Sequence, residues 1–233
     1  MKLALCIPAY NEEEIIIPTI AAVEQVLQGI PNLSWHIIVA NSGSTDETAQ
    51  RVEELGDSQV ALMTIHQKGK GRAIRAAARG TEADVFGFID ADLSAHPSAI
   101  SPLLQALENG ADIAIGSRLL NPAMVRRGWA RTASSVMFNA ARKLLLGIAV
   151  ADSQCGLKLM NRRGIETLAR CSEDTWFLDI ELLARAQKSG LRIAEVPIAW
   201  DEQHYKLRAS KLSLWRDGFG ALSAFWRIRS KLH

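Results

Sequence analysis

The segment Val85–Asp92, with the sequence VFGFIDAD, decides the fold class of this chain of 233 residues. Its first five residues, Val85–Ile89, predict a buried strand, because a short apolar run bounded by polar residues is typical of the interior of a sheet. Asp90 and Asp92 stand one residue apart just past that strand. Two carboxylates so placed can share one hard cation such as Mg²⁺ or Mn²⁺. Alternatively they are turn or cap residues, with Asp92 capping a helix that begins near Pro97.

Similar apolar runs alternate with helical patterns along the first half of the chain. This alternation favours an α/β fold, with a mostly parallel central sheet flanked by helices, because parallel strands need crossover connections. The predicted strands are Leu3–Ile7, Trp35–Ala40, Val60–Ile65, Val85–Ile89 and Asp112–Ile115. The predicted helices are Pro18–Gln28, Asp46–Leu55, Gly71–Arg79 and Pro97–Glu108. Ligands of such sheets bind outside the carboxyl ends of the strands, which is where the two acids fall.

Composition excludes several classes of protein. With 48% hydrophobic and 22% charged residues the chain is not disordered, and one large domain is the first expectation, two small ones being the alternative. A net charge of +2 and the absence of RNP, homeodomain and zinc-finger patterns argue against a nucleic-acid partner. The three cysteines show no metal-type spacing, which fits a reduced cytosolic compartment. No apolar run approaches the roughly 20 residues of a spanning helix, so we expect a protein that is soluble or lies on a surface.

Three further polar clusters lie where the predicted strands end or the predicted helices begin. They are PAYNE at Pro8–Glu12, NSGSTD at Asn41–Asp46 and KGKGR at Lys68–Arg72. The third cluster lacks the spacing of a P-loop, and no Gly-x-Gly-x-x-Gly fingerprint occurs, which argues against a nicotinamide enzyme. All three clusters fall at the predicted ligand-binding edge of the sheet.

A basic segment lies between Asp112 and Asp152, where the chain has no Asp or Glu. The cations in this segment are Arg118, Arg126, Arg127, Arg131, Arg142 and Lys143. One interpretation is a solvated basic face. The other is an anion site, since the guanidinium group matches phosphate with a planar fork of donors. We favour the anion site because the stretch without an acid is so long.

The end of the chain has a helical stripe of large apolar residues with basic neighbours. The stripe consists of Leu212, Trp215, Phe219, Leu222 and Trp226. It is accompanied by Arg216, Arg227, Arg229 and Lys231, and Asp217 is the only acid after Glu202. A helix of this kind either packs on its own domain or lies in a membrane interface, and the sequence favours neither.

Taken in order, the motifs resemble those of the family-2 glycosyltransferases, which have the GT-A fold and use nucleotide-sugar donors. The motifs are Pro8–Glu12, Gly43–Asp46, Gly69–Gly71, Asp90–Ser94, Gly116–Arg118, Asp152–Leu159, Phe177–Leu183 and Glu195–Ile198. The last three resemble the polyprenyl-phosphate branch of the family. Within that branch, Gln154–Gly156 and Ser210–Leu212 are most similar to dolichyl-phosphate glucosyltransferases, with dolichyl-phosphate mannosyltransferases close behind.

The resemblance implies a donor site at the first four motifs. Its donor-binding residues would be Pro8, Tyr10, Glu12, Asn41, Lys70, Asp90 and Ala91. Asp90 and Asp92 would bind Mg²⁺ or Mn²⁺, with Asp92 also counted as catalytic. The family usually has Asp at position 41, which accepts a hydrogen bond from the base. Asn41 can still accept, but its amide also donates and the charge is gone, so the identity of the base stays open.

The resemblance also implies an acceptor site in the basic segment. Its phosphate-binding residues would be Ser117, Arg118, Arg131 and Ser135 in that segment, joined by Lys211 from further along the chain. Asp152 and Asp179 occupy positions where the wider family has catalytic carboxylates. We expect each either to orient the acceptor-binding arginines or to act as a nominal base, the alternative being a plain salt bridge to a neighbouring Arg. A lipid phosphate is already an anion and needs no base, whereas a sugar hydroxyl does.

We therefore expect an inverting, metal-dependent glycosyltransferase that moves a hexose from a UDP-glucose or GDP-mannose type donor to a polyprenyl or dolichyl phosphate. The catalytic domain would span 1–210, and 211–233 would be a basic amphipathic helix on the membrane surface. The enzyme would be peripheral on the cytoplasmic face of the membrane, with a membrane-protein partner as another route to the lipid. The alternatives are a family-2 enzyme that acts on a sugar hydroxyl and a silent nucleotide-sugar binder.

Overall fold

The protein is an α/β structure in which helices connect most strands of a central sheet. The computed structural model describes residues 1–120, 125–126, 143, 146–201 and 224–232. The strands are β1 Lys2–Ala9, β2 Ser34–Ser42, β3 Val60–Ile65, β4 Val85–Ile89, β5 Ile113–Ser117, β6 Val125–Arg126, β7 Leu157–Met160, β8 Ile193–Pro197 and β9 Trp200–Asp201. The helices are α1 Ile16–Gln28, α2 Thr48–Leu55, α3 Lys70–Ala78, α4 Ile100–Glu108, α5 Arg162–Ala169 and α6 Leu178–Lys188. A 3₁₀ turn at Pro97–Ala99 precedes α4, and residues 224–231 are helical.

Within the described part of the chain, seven strands form one sheet in the order β3-β2-β1-β4-β7-β5-β8. All neighbours are parallel except β7, which runs antiparallel between β4 and β5. Since β7 runs the other way, its first residue lies at the edge where β4 and β5 end: Leu157 pairs with Ile89. The residues just before β7 are thereby brought between the acids that follow β4 and the arginine that follows β5.

Helices cover both faces of the sheet. In β1, alternate residues face opposite ways, so Leu5 packs with α1 and α4 whereas Cys6 packs with α3, α5 and α6. The helical segment 224–231 lies on the second face, where Phe225 and Ile228 are buried in the core. Trp226 of the same segment is 70% exposed. Trp226, the described member of the C-terminal stripe, therefore faces outward, whereas the helical segment packs on the domain through Phe225 and Ile228.

The predicted α/β class and the mostly parallel sheet are confirmed, and all five predicted strands are present. All four predicted helix starts differ from the structure by one to three residues, and local hydrogen bonds explain two of these differences. The α2 helix begins at Thr48 instead of Asp46, because the Asp46 carboxylate accepts hydrogen bonds from the Thr48 N–H and hydroxyl groups at 3.1 and 2.5 Å. The segment from Pro97 starts as a 3₁₀ turn, with His96 Nδ1 accepting from the Ser98 N–H at 3.2 Å.

Asp112 links three elements at the edge of the sheet opposite the acidic pair. Its carboxylate accepts hydrogen bonds from the Arg192 N–H at 2.8 Å and the Asn161 side-chain amide at 3.0 Å. The Arg163 guanidinium lies 3.2 Å from it. Burial alone would raise the pKa of Asp112, but these three donors together hold the pKa below the ordinary value of 3.8.

This lowered pKa predicts a pH-dependent stability. A carboxyl whose folded pKa lies below its unfolded pKa stabilises the protein above the unfolded value and loses that effect as the pH falls through the folded value. Asp112→Asn is therefore expected to lower the free energy of unfolding by about 2 kcal/mol at pH 7 and by much less near pH 3. Urea unfolding at the two pH values measures this. The exposed Asp84→Asn is the control, and an equal loss at both pH values would contradict the prediction.

Candidate active site

The two acids after β4 lie on a tight turn. The Asp90 N–H donates to the Gly156 carbonyl at 3.1 Å, and the Leu93 N–H donates to the Asp90 carbonyl at 3.1 Å. Leu93 has a φ of 47°, in the left-handed region that non-glycine residues seldom adopt. Asp92 accepts a hydrogen bond from the Ser94 N–H at 3.0 Å. Strained backbone that the surroundings hold in place is typical of functional sites, so the turn is more than a helix cap.

Neighbouring segments fix this turn from two sides. The Thr19 hydroxyl of α1 donates to the Ala91 carbonyl at 2.6 Å. On the other side Asp90 packs directly on Gly156, where an added Cβ would lie 2.0 Å from Asp90 Oδ2. Only glycine leaves room for the carboxylate at this position. The segment before β7 and the turn after β4 are therefore parts of one site.

Lys70, the first residue of α3, forms an ion pair with the acids. Its Nζ lies 2.6 Å from Asp90 Oδ1, and the side chains of Lys70 and Asp90 are 25% and 31% exposed. Burial by itself would lower the pKa of Lys70, but the charges of Asp90 and then Asp179 raise it above the ordinary 10.5. The ammonium group therefore stays protonated beside the carboxylates.

The carboxylates of Asp90 and Asp92 suit a divalent cation that a bound ligand also coordinates. The pKa of Asp92 is raised above 3.8, first because surrounding protein atoms reduce its hydration and second because Asp90 repels a second negative charge. A bound cation would remove this repulsion, and Asp92 is exposed enough for a ligand to reach it even though neighbouring protein atoms reduce its hydration. In the described ranges no group of three or more His, Cys, Asp or Glu side chains could enclose a metal. Two carboxylates are what Mg²⁺ typically takes from a protein when phosphates and waters supply the rest.

Arg118 directly follows β5 and is held by a carboxylate that comes from the segment before β7. Arg118 Nε lies 2.6 Å from Asp152 Oδ2, and a terminal guanidinium nitrogen lies 2.7 Å from Oδ1. The backbone N–H of Arg118 also donates to Oδ2 at 3.0 Å. The guanidinium carbon lies 4.6 Å from the Trp200 ring centroid. Asp152 thus pairs with Arg118 through two parallel hydrogen bonds, a contact that both an orienting role and a plain salt bridge would give.

Asp152 is buried and firmly ionised. Only 2% of the residue is exposed. Glu195 of β8 accepts from the Ala151 and Asp152 N–H groups at 2.7 and 3.0 Å, which fixes the backbone at this point. Burial would raise the pKa of Asp152, but the hydrogen bonds and charge of Arg118 hold it below 3.8. A carboxylate with a lowered pKa binds protons weakly, which makes it a poor general base near neutral pH.

Asp179, the second residue of α6, pairs with a lysine that the sequence analysis did not single out. Lys158 Nζ of β7 lies 2.6 Å from Asp179 Oδ1, and the two side chains are 0% and 4% exposed. The same ammonium group donates to the Cys155 carbonyl at 2.6 Å and lies 5.4 Å from the Phe88 ring centroid. The available signal was a lysine inside the apolar run Cys155–Met160, because a buried lysine needs a carboxylate partner.

The PAYNE and NSGSTD clusters bind each other where β1 and β2 end. The Asn11 N–H donates to Ser44 Oγ at 2.9 Å, and the Thr45 N–H donates to Asn11 Oδ1 at 2.8 Å. The Glu12 N–H donates to Thr48 Oγ1 at 2.8 Å. Asn11 has a φ of 53°, a left-handed conformation that Asn tolerates better than most residues. These bonds fix the loops that carry the predicted nucleoside-binding residues.

The predicted nucleoside-binding residues lie at this same edge. Pro8 is in β1, and the Lys68 ammonium lies 3.7 Å from the centroid of the Tyr10 ring. Asn41, in β2, is 3% exposed, and its Oδ1 has no hydrogen-bond partner in the structure. A buried amide oxygen without a partner costs free energy unless a ligand supplies a donor. Asn41 Oδ1 is therefore available to accept a hydrogen bond from a ligand, which is the role that the resemblance implies for position 41.

The comparisons with known proteins identify the family of this chain. The sequence model described as "Glycosyl transferase family 2" matches residues 4–169, more than half of the chain. The chain belongs to glycosyl transferase family 2. The predicted resemblance is thereby confirmed, and three of the motifs that carry it, Pro8–Glu12, Gly43–Asp46 and Asp90–Ser94, lie at the carboxyl ends of β1, β2 and β4.

Several family-2 relatives are similar over most of this chain. "Glycosyltransferase AglD" of Haloferax volcanii is 30% identical over 238 residues, which is 98% of this chain and 38% of that protein. "Dolichyl-phosphate beta-glucosyltransferase" of Drosophila melanogaster is 31% identical, covering 87% of this chain and 68% of that one. "Polyprenol monophosphomannose synthase" of Mycolicibacterium smegmatis is 32% identical, covering 97% and 87%. The chain thus spans well under half the length of AglD and most of the length of the synthase.

A solved structure confirms the predicted GT-A fold. Glucosyl-3-phosphoglycerate synthase from Mycobacterium tuberculosis, crystallised with uridine diphosphate, superposes with a TM-score of 0.71 at 22% identity. The match covers 99% of this chain and 80% of that one. At this identity the likeness concerns the fold alone.

The acceptor side of this family-2 site is described in part. Ser117 ends β5, and its buried Oγ has no hydrogen-bond partner in the structure. Arg118 is held by Asp152, as set out above. The other predicted phosphate-binding residues, Arg131, Ser135 and Lys211, lie outside the described residues. Their roles therefore stay predictions.

Proposed function

We propose that the chain transfers a hexose from a nucleoside diphosphate sugar to a polyprenyl phosphate, with inversion at the anomeric carbon. The observation that carries this proposal is that both candidate bases are already engaged by cations. Asp152 forms two hydrogen bonds to Arg118, and Asp179 pairs with the fully buried Lys158. A sugar hydroxyl must lose its proton as it attacks, whereas a phosphate monoester attacks as an anion and needs only positioning and charge pairing.

In the proposed reaction a phosphate oxygen of the lipid attacks the anomeric carbon from the side opposite the leaving group. A new bond forms between that oxygen and the carbon, and the bond from the carbon to the diphosphate oxygen breaks. The nucleoside diphosphate leaves with its electron pair, and no proton has to be moved by the protein. Arg118, oriented by Asp152, would pair with the incoming phosphate, and Ser117 would donate its unused hydroxyl.

On the donor side, Lys70 would support the diphosphate, and Pro8, Tyr10, Glu12 and Asn41 would line the nucleoside pocket. Asp90 and Asp92 would hold Mg²⁺ or Mn²⁺, which when bound offsets the charge that builds up on the leaving diphosphate. The similarity to dolichyl-phosphate glucosyltransferases and to a polyprenol monophosphomannose synthase supports UDP-glucose and GDP-mannose as the donors to test.

The proposed acceptor also implies contact with a membrane. Among the described residues no helix combines the length and the apolarity that crossing a bilayer requires. The enzyme would act from the cytoplasmic face of the membrane. The catalytic domain would span 1–210, and the basic amphipathic helix 211–233 would bind the membrane surface. A membrane-protein partner is the other route to the lipid. The exposed Trp226 and its cationic neighbours suit an interface between lipid and water.

The direct test is a transfer assay with matched acceptors. Purified protein is incubated with UDP-glucose or GDP-mannose, Mg²⁺ or Mn²⁺, and a short polyprenyl phosphate in detergent, and the lipid product is identified by mass spectrometry. We expect one hexose on the phosphate in the β configuration, and no product with the corresponding polyprenol. Transfer to a sugar hydroxyl without lipid, with a bell-shaped pH profile, would contradict the proposal in favour of the base-dependent reaction.

Arg118→Lys is expected to raise the KM for the lipid phosphate by about 10- to 100-fold, the effect of losing one charge-assisted hydrogen bond. Lysine keeps the charge but lacks the planar fork that binds Asp152 through two N–H groups. The dissociation constants of UDP and GDP should stay unchanged. Arg163→Lys, at the opposite edge of the sheet, is the matched control. An unchanged acceptor KM in folded Arg118→Lys protein would remove Arg118 from the acceptor site.

A further inference from the structure

The Lys70 ammonium group is bound to a carboxylate oxygen of Asp90, one of the two proposed metal ligands. Its Nζ lies 2.6 Å from Asp90 Oδ1, which is direct contact. A divalent cation bound by the same oxygen would lie within a few ångströms of that ammonium, and like charges at such a distance repel strongly at a partly buried site. Lys70 and the cation therefore compete for Asp90 as long as the lysine stays where it is.

The backbone of Lys70 cannot move away to relieve this competition. Both flanking glycines pack tightly against the loop before α6. A Cβ added to Gly69 would lie 2.5 Å from the Asp174 carbonyl oxygen, and a Cβ added to Gly71 would lie 2.5 Å from the Glu173 carbonyl oxygen. The next residue, Arg72, donates its backbone N–H to the same Asp174 carbonyl at 3.2 Å. Only the side chain of Lys70, which is 25% exposed, is able to change its position.

That loop is itself anchored to two other elements. Glu181 of α6 accepts hydrogen bonds from the Ser172 and Glu173 N–H groups, both at 2.8 Å. The Glu173 carboxylate binds the Arg227 guanidinium of the helical segment 224–231 at 2.6 and 2.7 Å. The first turn of α3 thus rests on a fixed support, and the position of the Lys70 Cα is set by the fold.

The charges around Lys70 explain where its ammonium group lies without substrate. Asp90, Asp179 and Asp92 all attract it, in that order of strength. Asp179 already has the buried Lys158 as its partner, whereas the ammonium group of Lys70 lies in direct contact with Asp90. A nucleoside diphosphate brings more negative charge to this place, and the four-carbon stem of lysine allows the ammonium group to turn towards it.

From this geometry, and resting on the proposed function, we infer that Lys70 is an exchangeable counter-ion that couples metal binding to donor binding. In the donor-free protein it neutralises Asp90 and opposes the cation. When the diphosphate binds, the ammonium group moves from Asp90 to the phosphates, and Asp90 becomes a ligand of the cation. Metal and nucleotide then strengthen each other's binding, by the same factor in each direction.

The test measures Mn²⁺ binding by electron paramagnetic resonance or calorimetry, without any transfer reaction. In the absence of nucleotide, Lys70→Met is expected to bind Mn²⁺ about 10-fold more tightly than the wild type, because the competing cation is gone. With saturating UDP or GDP the gain should vanish or reverse, since the variant also lacks the lysine that pairs with the diphosphate. The factor by which nucleotide improves Mn²⁺ binding should therefore fall by at least about 10-fold.

Two variants serve as controls. Lys68→Met removes one positive charge from the same loop, but its ammonium group lies on the Tyr10 ring instead of on Asp90, so the donor-free affinity for Mn²⁺ should not change. Lys70→Arg keeps a cation at the position and should keep the low affinity of the wild type. If Lys70→Met does not fold, as judged by circular dichroism, Lys70→Gln decides the question by the same readout.

The outcomes separate this inference from the proposed function. A wild-type protein that binds Mn²⁺ together with UDP or GDP, while Lys70→Met gains nothing in their absence, overturns the inference and leaves the proposed function intact. An equal gain in Lys68→Met also overturns it, because the effect would then be one of net charge. A wild-type protein that binds no Mn²⁺ with or without nucleotide overturns the proposed metal site and the inference with it.

Discussion

Asp92→Asn is expected to lower the rate of sugar transfer by about 10³-fold, because a metal ligand that offsets leaving-group charge contributes several kcal/mol to the transition state. The amide is isosteric and its oxygen can still accept the hydrogen bond of the Ser94 N–H, so the turn should keep its shape. The carboxylate is disfavoured by reduced hydration and by repulsion from Asp90. Its removal should therefore leave the melting temperature unchanged or slightly raised.

A large loss of activity without any loss of stability makes this prediction specific. Transfer is measured by incorporation of labelled hexose into polyprenyl phosphate, and stability by thermal unfolding followed by circular dichroism. Asp84→Asn, which changes an exposed acid just before β4, is the control for the loss of one negative charge. Turnover close to that of the wild type in folded Asp92→Asn would remove Asp92 from the metal site, and with it the proposed role of the metal.

Lys158→Met is expected to lower the free energy of unfolding by about 3–5 kcal/mol, since breaking a buried ion pair leaves one charge without its partner. Asp179 would lose the ammonium group 2.6 Å away while remaining 96% buried, its side chain being 4% exposed. The Cys155 carbonyl would also lose a hydrogen bond of 2.6 Å. Urea unfolding with a linear extrapolation measures the change.

The double variant Lys158→Met with Asp179→Leu separates pairing from packing. Replacing both members of a buried pair by apolar residues of similar volume is often neutral, so the double variant should recover most of the lost stability. It should also retain transfer to lipid phosphate if Asp179 is not a base. A stable double variant that has lost all transfer would instead show that Asp179 takes part in the reaction, against our proposal.

The strands and helices in the first half of the chain could be predicted because they follow local sequence patterns. The run Val85–Ile89 is a strand with the predicted bounds, and Val60–Ile65 likewise. Parallel strands joined by helices must all end at the same edge, so the polar clusters after β1, β2 and β4 were bound to meet there. The bond from the Asn11 N–H to Ser44 Oγ is one result of that constraint.

The structure of the second half was harder to predict because β7, the strand that lies between β4 and β5, is short and contains a charged residue. Leu157–Met160 contains Lys158, which interrupts the apolar pattern of a buried strand, so β7 was not predicted. Its antiparallel position between β4 and β5 depends on which strand edges the rest of the sheet leaves open. The predicted link from Asp152 to an acceptor-binding arginine agrees with its bonds to Arg118, whereas the partner of Asp179 is a lysine where an arginine was expected.

By itself the sequence determined the α/β class and the edge of the sheet at which Asp90, Asp92 and the other polar clusters lie, since periodicity and motif spacing are local properties of the chain. The tertiary structure alone decided which of these groups are paired. It brought Lys70 onto Asp90 and Lys158 onto Asp179, contacts between residues that different elements supply. The physical reason is that an ion pair inside a protein forms where packing removes water from both charges, and that place exists only after the strands have assembled.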